Sequence, residues 1–389
     1  MQEELLVQYR KGNDTDQDEF IDLINYVFNM NGKDNDFYRL LPKLYKKEYH
    51  PCGYNYLALE DGRIKAAVGS FPGTINVCGM TLNYQGIGNV AVHPYSRSKG
   101  YMKELMNQAV AGMLSEDVDF SVLSGKRNRY AYFSYEIVGR KSSFWLDESN
   151  IQHVLGKEHK VKFQFLPVKE TDIEILEEIL KLQQTQPFYY EREAEKHYDI
   201  LKTWTDVAIY GIYEEQSFSG YLLCYGNNTI KEIILKQADD ITDVIADFII
   251  THAKSGLTVE IPDYQRKFAD ALSVISEQVT VKDDDNFSVF HYDKVIKAFL
   301  TLKAQYDQLA DGEICLLIHG KKRDEKLFIS VKDNLVSVIP TEQKADYEFH
   351  HLEAMSVLFG NYSALRNPLP TAIKTWLPLP LYIFPADAV

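Results

Sequence analysis

Apolar residues recur along the chain with two alternating periods. Phe20, Leu23, Ile24, Val27 and Phe28 share one face at helical spacing behind a capping-box-like stretch, Thr15 to Asp18, and predict an amphipathic helix. From Tyr54 the pattern turns to strands. Tyr56–Leu59, a turn at Asp61-Gly62 and Ile64–Val68 predict a hairpin, with a third strand around Thr74 to Cys78. Gly88-Asn89-Val90-Ala91-Val92-His93-Pro94 then reads as a short strand stopped by proline. A polar loop follows it, and after that a helix carrying Met102, Leu105, Met106, Ala109, Val110 and Met113. Ser121–Leu123, the aromatic stretch Tyr130–Tyr135 and a strand at Ser143–Leu146 close a first region near residue 150.

The same order of elements returns between 151 and 285. A helix at Thr171–Leu182, a hairpin from Val207–Tyr213 and Ser219–Tyr225, a strand at Ile230–Leu235 and a helix at Ile241–Ala253 suggest a degenerate internal repeat. Its strand-to-helix junction, Lys236-Gln237-Ala238-Asp239-Asp240, has two carboxylates and no glycine where the first copy has Arg97 to Gly100, so it does not suit phosphate. The charge-rich run Lys282 to Asn286 reads as a linker to a third region, 286–389. Strands at Gly312–His319, Leu327–Val331 and Leu335–Val338 and a helix at His351–Phe359 precede a proline-rich tail there. The fold class expected is mixed α+β in three units, because 389 residues exceed what one core normally supports.

With 45% apolar and 25% charged residues the chain has an ordinary globular composition. Its formal charge of −14, without a long Lys/Arg cluster, argues against nucleic acid as a partner and suits cationic ligands such as amines. Cys52, Cys78, Cys224 and Cys315 are widely spaced beside apolar stretches and read as core residues in a reducing, cytoplasmic setting. No basic-then-apolar leader and no apolar run of about 20 residues is visible, so no membrane span is expected. His350-His351 are adjacent and His159, His197 and His252 stand apart, so no metal site is expected.

The chemistry lies in the first strand-loop-helix junction. A flexible loop entering a helix aims amide hydrogens and the positive end of the helix dipole at an anion, and Arg97-Ser98-Lys99-Gly100-Tyr101-Met102 fits that role. The stretch Val90 to Met102 resembles the acetyl-CoA motif of the GNAT N-acetyltransferases, which reads Val-x-Val, a short loop, then Arg/Gln-x-x-Gly-x-Gly/Ala; Met102 departs at the last small position. The resemblance implies that Val90, Ala91 and Val92 offer main-chain bonds to pantetheine. It also implies that Arg97, Ser98, Lys99, Gly100, Tyr101 and Met102 wrap the pyrophosphate of acetyl-CoA as cosubstrate. Tyr130-Ala131-Tyr132-Phe133-Ser134-Tyr135-Glu136 is similar to the Tyr-x-x-Phe-Gly-Tyr-Glu of the enhanced-intracellular-survival (Eis) branch, with Ser134 where glycine is usual. That branch implies tandem GNAT-like domains, the first catalytic (1–150) and the second degenerate (151–285), then a sterol-carrier-like domain (286–389) whose C-terminus reaches the active site.

By the same resemblance Tyr130 is the general acid, a phenol that stays protonated at neutral pH and so can protonate a departing thiolate. Tyr135 is a rival, since Asn128, Ala131, Tyr135 and Gly139 match the wider family's spacing, and aromatic core packing accounts for at least one of the two. The carboxylate of Val389 is the implied base; the apolar, proline-stiffened tail Trp376 to Val389 suggests docking, either in the active site or on a neighbouring surface. His93 beside the cofactor strand is a further base candidate. The expected reaction is acetyl transfer to a primary amine of aminoglycoside, polyamine or lysine type, with Asp22, Asp34 and Asp36 as candidate pocket residues. The branch suggests a homo-oligomeric, hexameric assembly. The alternative is a non-catalytic protein that binds CoA or, through the sterol-carrier-like region, a lipid.

Overall fold

The computed structural model describes residues 7–30, 35–46, 48–364 and 368–389. The first part of the chain supplies β1 (Val7–Lys11), β2 (Asn55–Glu60), β3 (Arg63–Val77), β4 (Met80–Val92), β5 (Phe120–Leu123) and β6 (Glu136–Val138). The expected hairpin is β2 and β3, but the strands run further than the apolar pattern showed. The stretch at Thr74 is the end of β3, and Gly88–Val92 is the end of β4. The helix Gln17–Asn29 follows a turn capped by Asn13 and Asp16, two residues earlier than the Thr15–Asp18 reading, because the Asn13 side chain takes the Thr15 amide at 2.9 Å.

The next part supplies β7 (Lys141–Leu146), β8 (Phe163–Pro167), β9 (Phe188–Tyr190), β10 (Val207–Glu214), β11 (Ser217–Tyr225), β12 (Thr229–Leu235), β13 (Leu257–Pro262), β14 (Gln278–Lys282) and β15 (Asp285–Val289). One sheet has the order β1-β2-β3-β4-β5-β15-β6, with β9 pairing β3 at the side, and a second has β14-β7-β13-β12-β11-β10-β8. Each holds an antiparallel run ending on a single parallel pair, β4 with β5 and β12 with β13. The strand beyond that pair is exchanged in both. β15 joins the first sheet beside β5 although it follows the whole second region, and β7 joins the second sheet beside β13.

Two readings of the sequence are corrected by this exchange. Ser143–Leu146 lies in the second sheet, and Lys282–Asn286 is no linker but the corner between β14 and β15. Asp284 at that corner is buried, takes the Ile383 amide at 2.8 Å and the Lys141 ammonium at 3.1 Å, and desolvation pushes its carboxyl up to about 7.

The remaining strands, β16 (Gly312–His319), β17 (Asp324–Lys332), β18 (Leu335–Pro340) and β19 (Tyr347–His350), form a third sheet in the order β18-β17-β16-β19. The helices Tyr292–Tyr306 and His351–Phe359 pack on it. The architecture is mixed α+β throughout. The tail is buried from Trp376 to Phe384, sharing a core with the helix Tyr292–Tyr306 and with β3, β4 and β9. Main-chain bonds tie it down: the Leu379 amide donates to Leu358 at 2.8 Å and the Arg140 amide to Leu381 at 3.1 Å.

Candidate active site

β4 and β5 pair in parallel only from Tyr84–Ile87 against Phe120–Leu123 and then separate. The register with β3 slips between Ala67 and Gly69, where Asn89 adopts a positive φ of 54°. The end of β4 thereby faces a cleft of about 1040 Å³, lined there by Gly88, Asn89, Val90 and Val92. Asn89 is anchored behind it on Tyr45 and Asn55. Ala91 points the other way, into the core with Leu57 and Phe71.

The loop after β4 forms the next wall. Arg97, Ser98, Gly100, Tyr101, Met102 and Lys103 line the cleft, with Gly100 at φ 87° entering the helix Tyr101–Ser115. The helix has no side-chain cap, and its first turn closes with the Glu104 amide on Gly100 at 3.1 Å. Helix geometry leaves the amides of Tyr101 to Lys103 without intrahelical acceptors, and an anion there gains roughly 0.3–1 kcal/mol from the dipole. Lys99 is turned away from the cleft and paired with Glu60, which also accepts from Ser96 at 3.0 Å. Of the six loop residues singled out, Lys99 therefore braces the loop rather than lining it.

The facing wall carries Ser124, Gly125, Lys126, Arg129, Tyr130, Tyr132 and Phe133. Arg97, Lys103, Lys126 and Arg129 make no ion pair among the described residues, so a basic cleft sits in a chain of charge −14. Tyr130 is 5% exposed, and burial pushes its phenol above the ordinary value, with the neighbouring Arg129 opposing. Tyr135 is fully buried away from the cleft, with its hydroxyl on Ser121 at 2.7 Å. His93 is absent from the walls and stacks on Tyr26 at 5.4 Å.

Val389 completes the cleft. It sits on β4 where two glycines make room: a Cβ at Gly86 would lie 2.5 Å from its Cγ2, and one at Gly88 would lie 3.3 Å from its carboxyl carbon. Val27, Phe28 and Trp204 bound the cleft nearby. Trp204 was not singled out in the sequence, and Val27 and Phe28 were read there only as part of the apolar face of the first helix; no local pattern marks any of the three as lining a cleft. Asp36 caps the short helix Phe37–Leu40, taking the Tyr38 amide at 3.0 Å, Asp22 is exposed, and Asp34 lies outside the described residues. Among the described residues no group of three His, Cys, Asp or Glu is placed to hold a metal, and no helix is long and apolar enough to cross a membrane.

A split parallel pair, a glycine-led helix start and a basic cleft between them agree with the family comparison, in which residues 8–140 match the acetyltransferase (GNAT) domain. The chain carries a GNAT acetyltransferase domain. Comparison with curated proteins finds no match. The GNAT-like fold extends beyond the matched segment. A GCN5-related N-acetyltransferase from Anabaena variabilis ATCC 29413 is similar with a TM-score of 0.68 at 16% identity over 97% of each chain. One from Kribbella flavida is similar at 0.65 and 14%, over 97% of this chain and 96% of that one. Eis1 from Mycobacterium abscessus is similar at 0.63 and 11%, over 96% and 97%. At these identities the likeness is one of fold. GNAT acetyltransferases use acetyl-CoA, which makes an acyltransferase the coarse function of the GNAT domain here.

Proposed function

We propose that the protein transfers the acetyl group of acetyl-CoA to a primary amine of aminoglycoside, polyamine or lysine type. Region 1–150 would be the catalytic unit, 151–285 a non-catalytic GNAT-like unit, and 286–389 a sterol-carrier-like unit that delivers Val389. The observation that carries this reading is that Tyr130, Val389 and the helix start at Gly100–Lys103 line one cleft.

The cleft's chemistry fits the cosubstrate. The amides of Tyr101 to Lys103 and the side chains of Arg97, Lys126 and Arg129 provide positive charge for phosphates, and Gly88, Val90 and Val92 present main-chain groups to the pantetheine amides. Lys99 and Ala91 support these walls from behind. Acetyl-CoA supplies an activated acyl carbon. The carboxylate of Val389 accepts a proton from the attacking amine as the N–C bond forms, and Tyr130 gives its phenolic proton to the sulfur as the C–S bond breaks. Each then exchanges with solvent, which restores the starting protonation.

The second sheet favours a non-catalytic role for its region. Its parallel pair also stops early, at Thr229–Ile230, but the Gln265 side chain donates to the Ile233 carbonyl at 2.9 Å and occupies that strand. Lipid carriage by the third region finds little support. The apolar cavity between Leu300, Leu316 and Leu358 has a volume of about 20 Å³ and is walled by Trp376, Leu377 and Leu379 of the tail, room for about one water.

A thiol-release assay with acetyl-CoA and a panel of amines tests the proposal. CoA liberated faster with an amine than without supports it; intact CoA binding with no turnover for any amine sinks it in favour of a CoA-binding protein. Size measurement in solution tests the hexameric assembly, which a monomer would overturn.

A further inference from the structure

Residues 385–388 are held by polar groups that the reaction does not consume. Lys43 is buried, and its ammonium donates to the carbonyls of Ala386 and Ala388, each at 2.7 Å. The Arg192 guanidinium is buried between two carboxylates, meeting Glu232 of β12 twice at 2.8 Å and Asp387 at 3.0 and 2.8 Å. Tyr221 of β11 donates to Glu232 at 2.5 Å. The Trp204 indole donates to the Pro385 carbonyl at 2.8 Å. Ala386 is fully buried in a core of second-sheet and neighbouring helix residues, among them Ile179, Leu201 and Leu223.

An apolar tail needs none of this in order to pack. Buried ions are costly, and replacing such a set with hydrophobic residues is often neutral or stabilising, so stability alone is a weak account of the cluster. The two cations and two carboxylates balance in charge, and they fix the backbone up to one residue before Val389. Burial lowers the Lys43 ammonium to about 7 while Asp387 pulls it back up, which ties its charge to the same cluster.

We infer that Lys43 and the Arg192–Asp387–Glu232 cluster are positioning residues that fix the Val389 carboxylate in the cleft, and that the second sheet, lacking a phosphate loop, serves as the anchor for that residue. This rests on the proposed role of Val389 as base. Three walls meet at the tail: Lys43 follows the first helix, Glu232 and Tyr221 lie on the second sheet, and Asp387 travels with the third region.

The experiment uses the full chain with Lys43→Met, Asp387→Asn, deletion of Val389, and each substitution combined with the deletion. Hydrogen exchange of the tail peptide is read beside steady-state kinetics. Either substitution should speed exchange of the Asp387 and Ala388 amides, which donate to Phe384 at 2.9 and 3.2 Å. Each should also lower kcat about 10- to 100-fold with the acetyl-CoA KM within about twofold. Adding the deletion should cause no further loss, because the parts act as a unit. Unchanged exchange, or losses that multiply in the double variants, would overturn the inference. Full kcat after deletion of Val389 alone would instead overturn the base assignment, and the exchange result then decides by itself whether these residues fix the tail. Should Asp387→Asn fail to fold, Lys43→Met carries the same readouts, since it removes two bonds to carbonyl oxygens and one buried cation but leaves the Arg192 contacts with Asp387 and Glu232 in place.

Discussion

The ring of Tyr130 lies against Gly125 so closely that a Cβ at 125 would overlap its Cε2 and Cδ2 edge. Gly125→Ala is therefore expected to push the phenol aside and lower kcat tenfold or more, as small misplacements of reacting groups do. The paired measurement is CoA binding by calorimetry, which should change little; an unchanged kcat would show that the ring is not held by this contact.

Tyr130→Phe should lower kcat by about 10²–10⁴ with CoA affinity preserved, the range of a general acid. A group that must be protonated loses function as pH rises through its pKa. Burial moves this phenol above its ordinary 10.0, so the alkaline fall in kcat belongs above that pH and should vanish in the variant. A fall that persists in Tyr130→Phe assigns it to another group.

Gly86→Val tests the seat of the terminus. The new side chain claims the space of the Val389 Cγ2. Overpacking of this kind costs about 1–3 kcal/mol, visible as a lower Tm, and turnover should fall with the displaced carboxylate. A variant that is destabilised yet fully active would separate Val389 from the chemistry.

Arg97 is exposed at the cleft rim and makes no ion pair among the described residues. Arg97→Ala should weaken CoA binding about two- to fivefold and flatten its dependence on ionic strength, because rim charges act through a screened field. Calorimetric titration at two salt concentrations reads both effects.

His351 bonds Ser134 at 2.9 Å, and burial lowers its imidazole from 6.5 to about 4. A depressed folded-state value means stability present above pH 6.5 that is lost as pH falls toward 4, of order 3 kcal/mol for this group. His197, also lowered to about 4, adds to the same decline. Tm followed from pH 7 to 4 should drop, and His351→Gln should make the drop shallower; an identical slope would exclude His351 as a contributor.

The strand-loop-helix junction was legible in the sequence because Val90 to Met102 is continuous and each step, apolar run, proline, glycine, helix, leaves a local mark. Tyr130 and Val389 were legible through resemblance, and the structure brings both to the cleft. Phe28 and Trp204 were not, since only tertiary packing brings them there. Lys99 pairs with Glu60, a partner the sequence does not reveal, because a basic loop residue looks the same whether it faces a ligand or a carboxylate. The Lys282–Asn286 run reads as a linker for a similar reason: the partners that make Asp284 a buried residue, Lys141 and the Ile383 amide, are each about a hundred or more residues away. Strand exchange leaves no local mark at all.

That exchange limits how the molecule can be divided. β15 fills the gap between β5 and β6, pairing Phe287 with Val122 on one side and with Glu136 on the other. A gene fragment ending near codon 150 would encode the glycine-led loop but leave two unsatisfied strand edges facing each other, inviting aggregation. Recombination could not move the GNAT domain to another protein as one contiguous cassette.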